Sequence, residues 1–212
     1  MQSIFQTIAE ANRQIDSAQS VVSNNLANTG TTAFKADLYA AQVKYRGDFN
    51  VDASALPNAR ESVVDLSSGN ISFTGRDLDI AINGSGWMQV LTPGGEEVLS
   101  RRGDLRVDLD GRLVDGVGRQ IMSETGPVAI QPDATSIAIG SDGTISFAPP
   151  GNAGAARIAL GRIMLVNPDP ADFTKGLDGE IRIAAGADAA PATGTQVIAG
   201  ALESSNVNPI SA

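Results

Sequence analysis

Apolar residues recur every three or four positions along the first part of the chain. The stripe consists of Met1, Ile4, Ile8, Ala11, Ile15, Ala18 and Val22, and it is widened by Phe5 and Leu26. Gln, Asn and Ser residues, together with Arg13 and Asp16, occupy the opposite face. Neither Gly nor Pro interrupts residues 1–28, and Gly30 is a plausible stop signal. The pattern therefore predicts one amphipathic helix that ends near residue 28.

The apolar stripe of this helix allows two interpretations. An amphipathic helix most often covers the core of its own chain. This stripe, however, is narrow, follows the a and d positions of a heptad and contains small Ala residues, which is typical of a seam between helices. The rest of the sequence predicts no second helix. The candidate residues for a subunit interface are Ile4, Phe5, Ile8, Ala11, Ile15, Ala18 and Val22.

Beyond residue 70 the pattern changes to short apolar segments separated by turn signals. Strands are predicted at 78–82, 87–91, 97–101, 105–109, 112–114, 120–122, 137–139, 144–147, 158–166, 180–183 and 195–202. Turns are predicted at Pro93-Gly94-Gly95, Asp110-Gly111, Asp142-Gly143, Pro149-Pro150-Gly151 and Asp178-Gly179, and Asp110-Gly111 is the strongest hairpin signal. Many short strands at close spacing predict a mainly β fold with an N-terminal α-helix, the β domain being barrel-like or a sandwich.

These patterns divide the chain into four segments. Residues 1–35 form the helix and a turn motif, and 36–70 form a linker region with a flexible loop at 48–60 around Pro57. Residues 71–202 form the β domain, in which 184–194 is rich in Ala, Gly and Pro and predicts an exposed loop. Residues 203–212 begin a C-terminal segment.

Composition removes several classes of function. The 212 residues carry a net charge of −9 and contain neither Cys nor His. We find no basic patch of the kind that nucleic acid requires, and thiol, disulfide and His-based chemistry are excluded. No apolar run approaches the ~18 residues of a membrane span, and the N-terminus lacks the pattern of a cleaved signal peptide. We therefore expect no nucleic-acid partner and no direct membrane insertion.

Few residue patterns suggest catalysis or ligand binding. Gly84-Ser85-Gly86 has Gln89 where a dinucleotide fingerprint needs its third glycine. Asp77 and Asp79 would share a strand face about 6–7 Å apart, which leaves a carboxylate hydrolase as an alternative. Arg102-Gly103-Asp104 matches an adhesion tripeptide but is better interpreted as a turn. We expect no enzyme, no cofactor and no metal site.

The most specific feature follows the predicted helix. Residues 24–35, Asn-Asn-Leu-Ala-Asn-Thr-Gly-Thr-Thr-Ala-Phe-Lys, resemble the Asn-Asn-Leu-Ala-Asn…Thr-x-Gly-Phe-Lys signature of the bacterial flagellar rod and hook proteins. The matching residues of this turn motif are Asn24, Asn25, Leu26, Ala27, Asn28, Thr32, Phe34 and Lys35. Its Asn and Thr residues are expected to cap and turn the chain, with Leu26 and Phe34 anchored in the core. Ala33 stands where the family usually has Gly, so a backbone that needs positive φ there would have to differ.

Three further segments are similar to the same family, in the same order. They are 75–87, 102–114 and a C-terminal motif formed by Leu202, Glu203, Ser205, Asn206, Val207 and Asn208. In the family this last motif leads into a long C-terminal helix that pairs with the N-terminal one. The present sequence ends at Ala212, so we expect that helix to be missing from it.

The resemblance implies a structural subunit of the flagellar basal body. It implies a tubular rod that spans the periplasm and transmits motor torque, with residues 1–35 in the inner tube and the β domain outside. Its partners would be copies of itself, other rod subunits and the flagellar type III export apparatus. The short connection after Lys35 is most similar to a proximal-rod member, with a distal-rod member as the alternative. From another class, a β-domain binding module or adhesin with an oligomerising helix stays open.

Overall fold

The structure is a computed structural model of the chain and describes residues 2–38, 63–131, 134–149, 156–176, 178–187 and 189–209. Within these ranges, no helix has the length and apolar character needed to cross a membrane. The predicted flexible loop at 48–60 lies outside the described residues, as does most of the predicted turn Pro149-Pro150-Gly151. The side chains of Ile4, Phe5 and Ala11 are also outside the description.

The described elements are one long helix, one short 3-10 helix and many short strands. The first half contains α1 Gln2–Ala27, β1 Asp37–Leu38, β2 Val63–Val64, β3 Ile71–Phe73, β4 Ile80–Asn83, β5 Trp87–Leu91, β6 Glu97–Ser100, β7 Arg106–Val107, β8 Leu113–Val114 and β9 Gln120–Ser123. The second half contains β10 Gly126–Pro127, β11 Thr135–Ile139, β12 Thr144–Ala148, β13 Ile158–Arg162, β14 Leu165–Val166, the 3-10 helix Pro170–Asp172, β15 Phe173–Lys175, β16 Ile181–Ile183, β17 Gln196–Ala199 and β18 Ala201–Glu203.

For the described part of the chain, a mainly β fold with one N-terminal α-helix is thus confirmed. The strands are all antiparallel where they pair, but they form separate sheets and do not close into a barrel. The largest sheet has the order β15-β16-β6-β5-β9-β8-β7, with β14 and β10 attached to β5 and β9. β11, β12 and β13 form a second sheet, and β1 with β2, β4 with β17, and β3 with β18 form two-stranded pairs.

Strand boundaries differ from the predictions where the backbone breaks. The predicted strand 195–202 is divided at Gly200, whose φ of 71° interrupts the extended run between β17 and β18. The predicted strand 158–166 is likewise divided into β13 and β14. Strands β1, β2, β3, β10 and β15 were not predicted, because runs of two or three residues are too short to show an alternating pattern.

The core lies on both faces of the largest sheet. Side chains alternate along a strand, so β5 sends Met88 and Val90 into the main cluster and Trp87 into a second one. β6 does the same with Val98 and Leu99. The main cluster is aliphatic, as the composition requires, and the second is built around the single tryptophan of the chain.

Five hairpin loops, at 92–96, 108–112, 115–119, 140–144 and 176–180, share one hydrogen-bond pattern among their described residues, which exclude residue 177. In each loop, the N–H of the first residue donates to the carbonyl of the fifth residue, and the N–H of the fourth residue donates to the carbonyl of the first. The fourth residue is always Gly with φ between 80° and 92°. This pattern is a type I turn followed by a glycine bulge. The turns predicted at Asp110-Gly111, Asp142-Gly143 and Asp178-Gly179 are therefore confirmed.

Candidate functional site: the junction between the helix and the sheets

Two motifs that are far apart in the sequence meet where α1 joins the sheets. The Ala33 N–H donates to the Glu203 carbonyl at 2.9 Å, and the Asn206 N–H donates to the Phe34 carbonyl at 3.2 Å. The Asn206 side chain accepts from the Ala36 N–H at 2.7 Å through Oδ1 and donates from Nδ2 to the Asp65 carbonyl at 2.9 Å. The turn motif and the C-terminal motif therefore form one structure, which we call the junction.

Asn25 fixes the end of α1 to the first strand. Its Nδ2 donates to the Asp37 carbonyl and its Oδ1 accepts from the Asp37 N–H, both at 2.8 Å. This buried amide thus satisfies both backbone polar groups of Asp37, as a neighbouring strand would. The Asp37 carboxylate in turn accepts from Lys175 of β15 at 2.6 Å and from Asn24 at 3.2 Å.

The centre of the junction is a buried cluster of three charges. Lys35 Nζ lies 2.6 Å from Glu203 Oε1, and Arg101 Nε lies 2.7 Å from Glu203 Oε2. All three side chains are almost fully buried. Further donors of the cluster have backbone acceptors: Lys35 donates to the Ser67 carbonyl, and the Arg101 guanidinium donates to the carbonyls of Ile82, Gly84 and Gly86. A buried charge cluster is tolerated only when it is paired in this way.

Burial and charge act in opposite directions on the titration of this cluster. Burial alone would raise the pKa of Glu203, but the charge of Arg101 and the hydrogen bond and charge of Lys35 outweigh it and hold the pKa below its ordinary value. Burial lowers the pKa of Lys35, because the contact with Glu203 only partly offsets the lost hydration. The Glu203 carboxylate is therefore ionised at neutral pH.

The tryptophan of β5 covers the charge cluster. The Trp87 ring centroid lies 5.9 Å from Lys35 Nζ and 5.8 Å from Arg101 Cζ, within the range of cation–π attraction. Trp87 also packs against Phe173, and their ring centroids are 5.3 Å apart. Trp87 is buried and is the only tryptophan, so its fluorescence reports on the junction.

Ala33 adopts the conformation that favours glycine. Its φ is 53°, in the left-handed region, although the residue is Ala where the resembling family has Gly. The expectation that the backbone would differ here is therefore wrong. Its N–H bond to Glu203 and its burial hold it in place.

Other residues of the two motifs occupy less central positions. Phe34 is half-buried with Lys175 Nζ 5.0 Å from its ring centroid, whereas Leu26 is exposed, so the expected anchoring of Leu26 in the core is wrong. Leu26 lies on the last turn of α1 and is 54% exposed. The remaining motif residues are exposed or half-buried: Asn24, Ala27, Asn28, Thr32, Leu202, Ser205, Val207 and Asn208.

The apolar stripe of α1 lies outside the described core. Ile8, Ile15 and Val22 are exposed, Ile15 at 62%, and Ala18 is half-buried. These residues are aligned on one side of a helix whose end is fixed by Asn25. None of these side chains belongs to either buried cluster of the described residues.

The catalytic alternative loses its geometric basis. Asp79 is buried and accepts from Thr74 Oγ1 at 2.6 Å and from Arg76 Nε at 2.9 Å, while Asp77 is exposed in the preceding turn. The two carboxylates therefore do not share a strand face as expected. Arg102 and Asp104 of the adhesion-like tripeptide bond to each other, at 2.7 Å between Nε and Oδ1.

Comparison with known proteins identifies the family. Residues 81–147 match the flagellar hook protein FlgE/F/G D1 domain. The chain is 34% identical to the flagellar basal-body rod protein FlgF of Escherichia coli K12 over 200 residues, which are 92% of this chain and 79% of that protein. It is 32% identical to FlgF of Salmonella typhimurium with the same coverage. It is also 32% identical to FlgG of Buchnera aphidicola from Schizaphis graminum, over 69% of this chain and 60% of that protein.

The chain has a helix joined to antiparallel sheets. Together with these sequence matches, this architecture places it in the class of flagellar rod and hook proteins. The chain belongs to the family of flagellar basal-body rod proteins. Its similarity to FlgF extends over most of its length, and its similarity to FlgG covers a smaller part.

Sequence patterns did not reveal Arg101, Asp37 or Lys175 as members of the junction. Arg101 is 102 residues from Glu203, and Lys175 is 138 residues from Asp37. No local spacing links such residues, because they lie in or beside β1, β6, β15 and β18, which are distant in the sequence and meet only in the folded chain. The one available signal was the position of Lys35 and Glu203 within the two motifs.

Proposed function

We propose that the chain is a subunit of the proximal part of the flagellar rod and that it transmits torque along the axial structure. The proximal assignment is supported by coverage: the match to FlgF extends over 92% of the chain, and the match to the Buchnera FlgG over 69%. In this proposal its partners are further copies, other rod subunits and the flagellar export apparatus, and its place is the basal body.

The exposed stripe of α1 is the single observation that carries the proposal. A free apolar stripe along a helix of this length is unstable in water unless another surface covers it. Ile4, Phe5, Ile8, Ala11, Ile15, Ala18 and Val22 are the proposed contacts with terminal helices of neighbouring subunits. Contacts between unlike surfaces of identical subunits generate open helical arrays, which is the form of a rod.

The junction gives this assembly its mechanical continuity. Residues 1–35 are the proposed assembly segment, 36–70 the connecting region, 71–202 the outward β domain and 203–212 the start of a C-terminal segment. Asn25, Lys35 and Glu203 fix α1 to the sheets through buried hydrogen bonds and ion pairs. A force on the β region is therefore passed to α1 through a packed and hydrogen-bonded structure.

Substitution on the stripe tests the proposal. Ile15→Asp places a charge in the proposed interface, whereas Gln14→Asp places the same charge on an exposed neighbouring position. In the source bacterium we expect Ile15→Asp, and likewise Ile8→Asp, to abolish rod formation in isolated basal bodies and to abolish motility. Gln14→Asp should leave both intact. Assembled rods and normal motility with Ile15→Asp, at normal levels of folded protein, would contradict the proposal.

Complementation tests the position in the rod. Expressed in Escherichia coli strains that lack FlgF or FlgG, the chain is expected to restore motility only in the strain lacking FlgF. Restoration of the FlgG-lacking strain alone would assign it to the distal rod.

A further inference from the structure

Among the described strands, β3 pairs along one edge only, with β18. Its neighbour β18 bonds with the even-numbered residues, because the Ser204 N–H donates to the Asn70 carbonyl and the Thr74 N–H donates to the Gly200 carbonyl. In an antiparallel ladder, Ile71 and Phe73 therefore direct their N–H and carbonyl groups away from β18. No described residue bonds to those outward groups. On the far side of β18, by contrast, the outward Glu203 carbonyl is taken by Ala33.

The side chains of this edge are apolar and exposed. Phe73 is 80% exposed and Ile71 37%, and the two lie on the same face of the strand. Proteins usually protect an edge strand with charge or proline. Two other described edge strands follow that rule, since β7 carries the exposed Arg106 and β13 carries the exposed Arg162. Strand β3, Ile71-Ser72-Phe73, has neither.

We propose that a strand from a second copy of this chain pairs with the free edge of β3. Unpaired backbone donors and acceptors in a row are matched only by another extended backbone, and the exposed Phe73 and Ile71 favour apolar side chains beside them. The inference rests on the proposed function, because an array of subunits presents this edge on every copy.

Position favours a second copy as the occupant. Strand β3 lies one strand beyond β18, which contacts the base of α1 through Ala33. A copy held against α1 is therefore close to the edge it would extend. The strand carries no charged residue, so two chains of net charge −9 can approach there without direct repulsion between its side chains.

Amide exchange at single-residue resolution gives the direct test, using the purified full chain at increasing concentration. The Ser72 amide, which faces β18, should be protected at every concentration. The Ile71 and Phe73 amides should exchange quickly in dilute solution and become protected as the chains associate. Protection of Ile71 and Phe73 that is already complete in a proven monomer would overturn the proposal, as would fast exchange in the associated state.

A charged substitution on the edge of β3 also tests the proposal, and the same charge placed on an exposed loop serves as its control. Phe73→Lys adds an edge lysine at an exposed position, and Leu109→Lys adds the same charge at a fully exposed position on the 108–112 loop. Phe73→Lys should weaken self-association by at least about tenfold in sedimentation equilibrium, and Leu109→Lys should leave it unchanged. Unchanged Trp87 fluorescence in both variants shows that the fold is kept. Equal association of both variants would overturn the proposal.

The two proposals fail in different ways. If Ile15→Asp prevents assembly and Phe73→Lys does not, the rod function stands and the pairing at β3 is wrong. If neither substitution affects assembly, both proposals are wrong.

Discussion

The turn motif at the junction continues directly from α1 along the chain, yet the polar groups of the junction and the apolar stripe of α1 differ in burial and pairing. At the junction, Lys35 and Glu203 are buried and paired, and Asn25 satisfies both backbone groups of Asp37. On the stripe, Ile8 and Ile15 are exposed and belong to neither buried cluster of the described residues.

This difference separates two physical tasks. Buried charges and amides fix a single geometry within one chain, because any other arrangement leaves them without partners. Exposed aliphatic side chains add nothing to the isolated chain but release water when a second surface covers them. The junction therefore sets the direction of α1, and the stripe remains available for association.

The largest effect is expected from Glu203→Gln. It leaves Lys35 and Arg101 buried without an anion, which should lower the free energy of unfolding by about 3–5 kcal/mol. Urea unfolding followed by Trp87 fluorescence measures the change. The matched control is Glu96→Gln in an exposed pair with Arg182, where we expect less than about 1 kcal/mol. Equal losses in the two variants would mean that the junction is no more important than a surface ion pair.

Lowering the pH should gradually reduce the difference in the free energy of unfolding between wild type and Glu203→Gln. The pKa of Glu203 is lower in the folded chain than in the unfolded chain, so below the ordinary value the unfolded chain binds more protons. The contribution of Glu203 is therefore present above its unfolded pKa and is lost as the pH falls through its folded pKa. The free energy of unfolding, measured in a pH series, should converge between wild type and Glu203→Gln at low pH. A difference that is constant with pH would show that ionisation of Glu203 is not the cause.

Lys35 makes the free energy of unfolding depend on pH in the alkaline range as well. Its pKa is lowered in the folded chain, so between that value and 10.5 the unfolded chain binds more protons and stability rises with pH. Lys35→Met should remove this rise.

A smaller effect, of opposite sign, is expected at Ala33. Ala33→Gly relieves a left-handed conformation and should raise the free energy of unfolding by about 0.5–1 kcal/mol, the entropy of Gly offsetting part of the gain. Ala36→Gly, also buried but without positive φ, should lower it by a similar amount. Both are measured by urea unfolding. If the two variants lose stability alike, the left-handed conformation of Ala33 carries no strain.

The smallest effect on the isolated chain is expected from Ile15→Asp. Because Ile15 is exposed, the free energy of unfolding of the monomer should change by less than about 1 kcal/mol. Thermal unfolding of the β region, recorded at a concentration where the chain is monomeric, gives the value. A loss as large as that of Glu203→Gln would place Ile15 in the core and remove the contrast between the two regions.

The sequence predicted what depends on neighbours along the chain. The helix predicted for residues 1–28 is observed at Gln2–Ala27, and β5 has the predicted bounds 87–91. The hairpin at Asp110-Gly111 follows from a turn that needs positive φ at Gly111. The junction was predicted only as two separate motifs, because Lys35 and Glu203 are 168 residues apart.

The sequence by itself thus determined the amphipathic helix, the mainly β class and the family, since periodicity, turn residues and motifs are local properties. Only the tertiary structure decided that the turn motif and the C-terminal motif form one junction with Arg101 at its centre. It also decided that Ala33 keeps the left-handed conformation and that the free edge lies on β3. These features depend on which strands pair, and strand pairing is set by the packing of the whole β region rather than by any one segment.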